Sequence, residues 1–270
     1  MRKIEQIKQI LEEYPMYSAR EVGKIVGLSR QTVNWYIRKL GISRDRELLR
    51  KLNNTKRSFP ITISETAEQI ILGSILGDGM ITKWKRFEDS KLNLNSALVI
   101  QHTKPQLEYL LYKKELLENN GIKCQKVRQL DEKTITEKYP SIINGKTIKA
   151  NTRYTLSTRK AISFNIYRDM FYKDKKYINK YIFKLKELGL AIWYMDDGYK
   201  HDNTYYLCTD CFSYKDLKLL QIVLYHNFNL ETIIDKRNRI RIKSKSSRLF
   251  TSIIEKFVCQ SMKYKINRRL

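Results

Sequence analysis

The chain is 270 residues long and carries 53 Lys and Arg against 28 Asp and Glu, a formal net charge of +25. Hydrophobic residues at 42% and aromatics at 11% exclude a disordered basic chain, and no apolar run reaches the ~18 residues of a membrane span. Four cysteines are too few for a disulfide framework and point to a reducing compartment; so large a positive excess calls for a polyanion, nucleic acid first. Glu5, Glu12 and Glu13 exclude a signal or transit peptide at the start. The charge is not a tail: residues 1–44 are net +5, 45–64 net +3 and the rest net +17.

Ile4, Ile7 and Leu11 recur at helical spacing, with Pro15 beyond that helix. Ser18 and Glu21 form a capping box for a second helix, whose apolar face is Ala19, Val22 and Val26. Gly27 makes the turn. Ser29 caps a third helix running to about Leu40, and Gly41 suits the left-handed residue that ends it. On the third helix Val33, Ile37 and Leu40 face inward, leaving Arg30, Gln31, Asn34, Trp35 and Arg38 outward. Tyr17–Ile42 resembles a helix-turn-helix module, in which Gln and Asn suit adenine and Arg suits guanine or phosphate. A three-helix docking unit is the alternative. Residues 1–44 are therefore expected to be a helix-turn-helix DNA-binding domain, and the polar stretch 45–64 a linker.

The remaining residues repeat. Ile71–Gly79 reads ILGSILGDG and Leu190–Gly198 reads LAIWYMDDG, two apolar helical runs ending in Asp-Gly with Asp78 and Asp197 in one register. Strand-like stretches follow each, at 80–85 and 96–103 and at 205–209. An amphipathic helix then follows each, at 104–119 and 213–227. Further strands and a closing helix, near 159–171 and 247–258, complete both halves. The first half is longer, mainly through a polar loop at about 132–150. Packed side by side, the two runs would bring both carboxylates to one end, with Gly73 and Gly77 letting the backbones approach. Converging carboxylates raise each other's pKa unless a cation lies between them. An oxygen-only set suits Mg²⁺ (or Mn²⁺), and divalent metal beside a polyanion suits phosphodiester hydrolysis.

These runs resemble the LAGLIDADG motif, and the organisation resembles the monomeric, two-motif LAGLIDADG homing endonucleases. Leu190–Lys200 (LAIWYMDDGYK) and Met262–Ile266 (MKYKI) look like the omega-intron type. The resemblance covers about 65–270. It implies an α+β fold of two pseudo-symmetric αββαββα halves, 65–185 and 186–270, forming a DNA-binding saddle. It assigns the divalent metal to Asp78 and Asp197, with backbone carbonyls of Gly77 and Asp196 as further donors. It gives Lys176 and Lys265 a catalytic role in supporting the water network. Ser74 and Leu76, and Ile192 and Asp196, depart from the consensus at non-metal positions. Lacking the termini of a self-splicing intein, the chain is expected to be free-standing or intron-encoded.

Arg237, Arg239, Arg241, Lys243 and Lys245 alternate with Ile240 and Ile242, which predicts one strand with a five-charge outer face. Arg153, Thr155, Ser157 and Arg159 alternate against Tyr154 and Leu156 in the first half. A β-ribbon fits the major groove, where Arg can read guanine and Lys can touch phosphate; Lys83 and Lys85 are further candidates. Cys208 and Cys211 lack a partner pair for zinc, and His102, His201 and His226 form no constellation. The resulting expectation is a site-specific double-strand DNA endonuclease, a monomer on a long asymmetric target. It would work inside a bacterial or phage-infected cell or an organellar matrix. An RNA maturase acting on host intron RNA, or a transcriptional regulator on the same scaffold, is the alternative.

Overall fold

The structure is a computed structural model that describes residues 3–13, 17–42, 61–82, 85–86, 93–138, 141–143, 146–148 and 151–266. Pro15, Lys83 and the expected linker as far as residue 60 lie outside the described residues. The chain divides into two compact units, 1–59 with 86–94, and 60–85 with 95–270.

The first unit holds helices α1 (Lys3–Glu13), α2 (Ala19–Val26) and α3 (Arg30–Lys39). The expected capping box is present: Ser18 Oγ accepts from the Glu21 N–H at 3.2 Å, and the Glu21 carboxylate accepts from the Ser18 N–H at 2.7 Å. Gly27 ends α2 at φ +67°, where an L side chain would be strained. Ile7, Leu11, Ala19, Val22, Val26, Val33 and Ile37 form a small core of their own. Leu40, expected inward, is only half-buried, because it is already the residue that caps α3. Arg30, Gln31, Trp35 and Arg38 are exposed and Asn34 is half-buried.

The second unit is two copies of one plan. The first runs α4 (Glu65–Leu76), β1 (Gly79–Ile81), β2 (Leu98–Thr103), α5 (Leu107–Asn119), β3 (Arg128–Leu130), α6 (Glu132–Lys138), β4 (Arg153–Ser157) and α7 (Asn165–Phe171). The second runs α8 (Glu187–Asp197), β5 (Gly198–His201), β6 (Thr204–Leu207), α9 (Tyr214–Phe228), β7 (Thr232–Ile234), β8 (Ile240–Ile242) and α10 (Ser244–Ile254). The sheets are antiparallel, ordered β1-β2-β4-β3 and β7-β8-β6-β5. Each half is thus αββαββα, with α6 and a small ribbon (Ser141–Ile143 paired to Lys146–Ile148) inserted where a polar loop was expected.

Beyond their first turns, helices α4 and α8 are mostly apolar on every face because they are buried on every face. Ile70, Ile71, Leu72, Ile75, Leu190, Ile192 and Trp193 are fully buried, each such side chain worth roughly 1.5–3 kcal/mol of transfer free energy. Glycine sets their spacing. A Cβ on Gly73 would stand 2.5 Å from the Gly189 carbonyl and 2.7 Å from Ile192 Cβ, and one on Gly77 only 2.4 Å from Asp196 Cβ. Gln69 locks the seam, donating to the Lys184 carbonyl at 2.9 Å and accepting from the Lys186 N–H at 2.6 Å.

The five-charge strand does not exist. Asp235 Oδ1 accepts from the backbone N–H of Arg237 (2.8 Å) and of Arg239 (2.9 Å), and Asn238 takes φ +58°. An Asx-type turn therefore replaces the first part, and the strand is confined to Ile240–Ile242, with Lys243 capping α10 and Lys245 inside it. Within that strand the alternation holds: Ile240 and Ile242 are fully buried and Arg241 is half-exposed. Thr155 also departs from the expected outer face, being buried with its Oγ1 accepting from Gln101 Nε2 at 3.3 Å. Arg153 is exposed and Ser157 half-buried.

Candidate active site at the ends of the paired helices

Helix α4 ends at Leu76, so Asp78 follows the capping Gly77; α8 ends on Asp197 itself. Both carboxyl groups lie above the ordinary carboxylate range. Burial is the main cause for Asp78, reinforced by the Asp196 charge and opposed by Lys113, Lys265 and Lys176. Asp197 is pushed up to about 7 by burial, then by Asp78 and Asp196, against Lys176 and Lys265.

The two expected lysines reach these helix ends. Lys176 Nζ donates to the carbonyls of Gly77 (3.2 Å) and Gly79 (3.1 Å). Lys265 Nζ donates to those of Met195 (2.6 Å) and Asp196 (3.1 Å). Burial lowers both ammonium pKa values, and the surrounding aspartates pull them back up. The Gly77 and Asp196 carbonyls, expected as metal donors, are thus already engaged by ammonium groups.

Three residues were missed. Asp196, read only for its carbonyl, places a buried carboxylate in the site: Oδ1 lies 2.7 Å from Lys113 Nζ, and Oδ2 accepts from the Asp78 N–H at 3.3 Å. Lys113 is fully buried. His102 is 3% exposed, with Nδ1 3.4 Å from Asp78 Oδ2 and Nε2 3.7 Å from Asp196 Oδ1. It does belong to a constellation, contrary to the sequence reading, because the β1–β2 pairing carries it across to Asp78. Neither ring nitrogen makes a hydrogen bond of good geometry. Burial, then Lys113, push its pKa down to about 4. Lys113 did leave a signal: with Tyr109, Leu110 and Leu117 it occupies the apolar side of α5, an unusual place for an unpaired ammonium.

Asp78, His102 and Asp196 offer donor atoms within 4.8 Å of one another. A solvent-facing Asp78 carboxyl raised by desolvation and by the Asp196 charge, the buried Asp196 carboxylate, and an imidazole lacking hydrogen bonds fit a divalent cation. Asp197 enters through its effect on charge rather than through that donor group.

On the second sheet, Arg239 Nε donates to Asp210 Oδ1 at 3.1 Å and its Nη1 to the Tyr199 hydroxyl at 3.3 Å. Arg241 pairs across the sheet with Tyr206, which stacks on Tyr199 at 4.9 Å. Lys243 and Lys245 both pair with Glu231, and Arg237 is exposed on the turn. The cysteines are free.

Two αββαββα halves, whose glycine-bearing helices pair and carry carboxylates to a shared end, define the LAGLIDADG class of scaffold. Known proteins agree. The chain matches the LAGLIDADG DNA endonuclease family over residues 68–260. Cytochrome b mRNA maturase bI2 of Saccharomyces cerevisiae is 32% identical over 218 residues, 74% of this chain but 47% of that protein, so the chain spans about half its length. DNA endonuclease I-ChuI of Chlamydomonas applanata is 24% identical over 231 residues, 77% of this chain and 97% of the enzyme. The solved structure of homing endonuclease I-WcaI bound to its DNA recognition sequence has a TM-score of 0.60 at 20% identity, covering 86% of this chain and 98% of that one. The chain belongs to the LAGLIDADG DNA endonuclease family, and its fold is that of the LAGLIDADG homing endonucleases.

Proposed function

We propose that the protein is a site-specific endonuclease that cuts both strands of a long, asymmetric DNA duplex as a monomer, with Mg²⁺ or Mn²⁺. The observation that carries this reading is the convergence of the Asp78 and Asp197 carboxyls, both raised by desolvation and then by neighbouring carboxylates, at the ends of two paired helices in a chain of net charge +25. Asp78 and Asp197, one at each helix end, would each hold divalent metal for one of two catalytic centres, one centre per DNA strand, with Asp197 lying outside the Asp78–His102–Asp196 donor group. The bound cation supplies polarisation of the scissile phosphate and a water of lowered pKa. Lys176 and Lys265, anchored on helix-end carbonyls, hold positive charge beside the phosphates and orient water.

DNA is held by charge along the second unit. Arg153, Ser157, Arg237, Arg239 and Arg241 contact the duplex. Arg239, oriented by Asp210 and Tyr199, reads a base edge. Lys243 and Lys245 must leave Glu231 to reach phosphate, and Thr155 supports the strand from within. The first unit acts as a helix-turn-helix that lengthens the footprint through Arg30, Gln31, Asn34 and Arg38.

The test is cleavage of a plasmid joining the flanks of the protein's own coding locus. Linear product with Mg²⁺ and none with EDTA is expected. Asp78→Asn is expected to lose cleavage while still binding the same site in gel shifts. Loss of binding would make Asp78 structural. The likeness to a yeast mRNA maturase favours one further reading, action on intron RNA; binding of that RNA without DNA cleavage would establish it instead.

A further inference from the structure

We propose that Lys113, Asp196 and His102 form a buried relay that positions the Asp78 carboxylate, making the two catalytic centres unequal so that the relay sets the cutting rate of one DNA strand only. The inference rests on the nuclease reading above.

The relay touches Asp78 at two points. Asp196 Oδ2 accepts from the Asp78 backbone N–H at 3.3 Å, and His102 Nδ1 stands 3.4 Å from Asp78 Oδ2. Behind them Lys113 Nζ holds Asp196 Oδ1 at 2.7 Å, with both side chains shielded from solvent. Gly77 makes the room, since any Cβ there would strike Asp196. A neutral imidazole has one N–H to give. Lys113 already satisfies Asp196 Oδ1, so a donor on Nε2 gains little there, whereas a donor on Nδ1 faces Asp78 directly. With its proton on Nδ1, His102 faces Asp78 Oδ2 across a 3.4 Å approach that is not yet a hydrogen bond of good geometry, and closing it orients the carboxylate; the Gln106 side chain is a further polar neighbour of the ring. These are positioning residues that act through Asp78.

Among the described residues the equivalent positions of the second half carry no such relay, and strand register shows why. Gly79 pairs with Ile100 and Gly198 with Leu207, so His102 corresponds to Thr209. Helices α5 and α9 start at Leu107 and Tyr214, so Lys113 corresponds to Leu220. In the motifs Asp196 corresponds to Gly77. Thr209 is spent on the Asn238 carbonyl at 2.6 Å, and Leu220 is buried and apolar. Asp197 is thus left without an imidazole or a lysine-compensated carboxylate at the equivalent places.

The experiment follows each strand separately on a duplex target labelled at both 5′ ends. His102→Ala should slow nicking of one strand roughly 10–100-fold, as outer-shell partners of a metal-binding group typically do, and change the other by less than about twofold. Nicked circle then accumulates from supercoiled plasmid. His102→Asn, whose amide nitrogen overlies Nδ1, should restore most of the lost rate. Equal slowing of both strands, or of neither, overturns the relay. A second readout needs no cleavage: ¹⁵N spectra of the imidazoles, with the His102 signal assigned by its loss in His102→Asn, should show the Nδ1–H tautomer in metal-free protein. The Nε2–H tautomer would turn the Nδ1 lone pair to Asp78, overturning the relay and marking His102 as a metal donor. A wild-type protein that cuts no duplex would end the nuclease reading, leaving the tautomer to decide the relay.

Discussion

Asp197 sits in an environment that opposes its own charge. Burial first, then the charges of Asp78 and Asp196, push its carboxyl from the ordinary carboxylate range up to about 7. The folded protein therefore binds a proton that the unfolded chain has already released between about pH 4 and 7. Ionising Asp197 costs stability across that window, and the full cost persists above it. Asp197→Asn removes the cost. Thermal unfolding without divalent metal should show the variant more stable than wild type at pH 8, with the gap closing as pH falls to about 4. Comparing the two proteins cancels the opposite contribution of His102, whose depressed pKa of about 4 makes its neutral form the stable one as pH rises. A gap independent of pH would mean that Asp197 is solvated and ordinary. Added Mg²⁺ should raise the wild-type melting temperature at pH 8 and the variant's far less, because the cation relieves the same repulsion.

The pairing of α4 with α8 is the element on which the site depends. Two-helix contacts this close exist only where side chains are missing, and Gly73 sits against both the Gly189 carbonyl and Ile192. Gly73→Ala should destabilise the protein by about 1–3 kcal/mol, the usual cost of overpacking, despite alanine's better helix propensity. Ser74, its neighbour, is buried with an unpartnered Oγ, so Ser74→Ala should be neutral or stabilising. Urea unfolding of the pair checks both; a neutral Gly73→Ala would show that the helices part easily. Lys176 and Lys265 complete the element by tying the chain near the end of each half to its helix end.

The whole molecule is a +25 chain of two units, each with its own core. Removing residues 1–44 takes away the buried set Ile7 to Ile37 as a block and leaves the second core whole. The truncated protein should still cut its target with Mg²⁺, bind it more weakly, and protect a shorter stretch in footprinting. Because 1–44 carries net +5, the slope of log affinity against log salt should also become shallower. An unchanged footprint and slope would reduce the first unit to a docking module.

Much of this was legible along the chain because it depends on near neighbours. Capping at Ser18, the left-handed turn at Gly27, and the helical run before each Asp-Gly are local physics, and all are present. The repeat exposed Asp78 and Asp197 because two matched registers are hard to produce by accident. The five-charge strand misled because alternation records polarity but not where a strand stops. Asp235 and Asn238 supply a turn that delays its start, and α10, capped by Lys243, ends it early. What the chain order could not carry was contact between residues set apart along it, 83 positions for Lys113 and Asp196 and 24 for His102 and Asp78. Lys113 meets Asp196, and His102 meets Asp78, only after two helices pair through glycine and two strands fall into register. A buried ion pair leaves no periodic trace, since each partner looks like an ordinary charge until the fold removes the water around it.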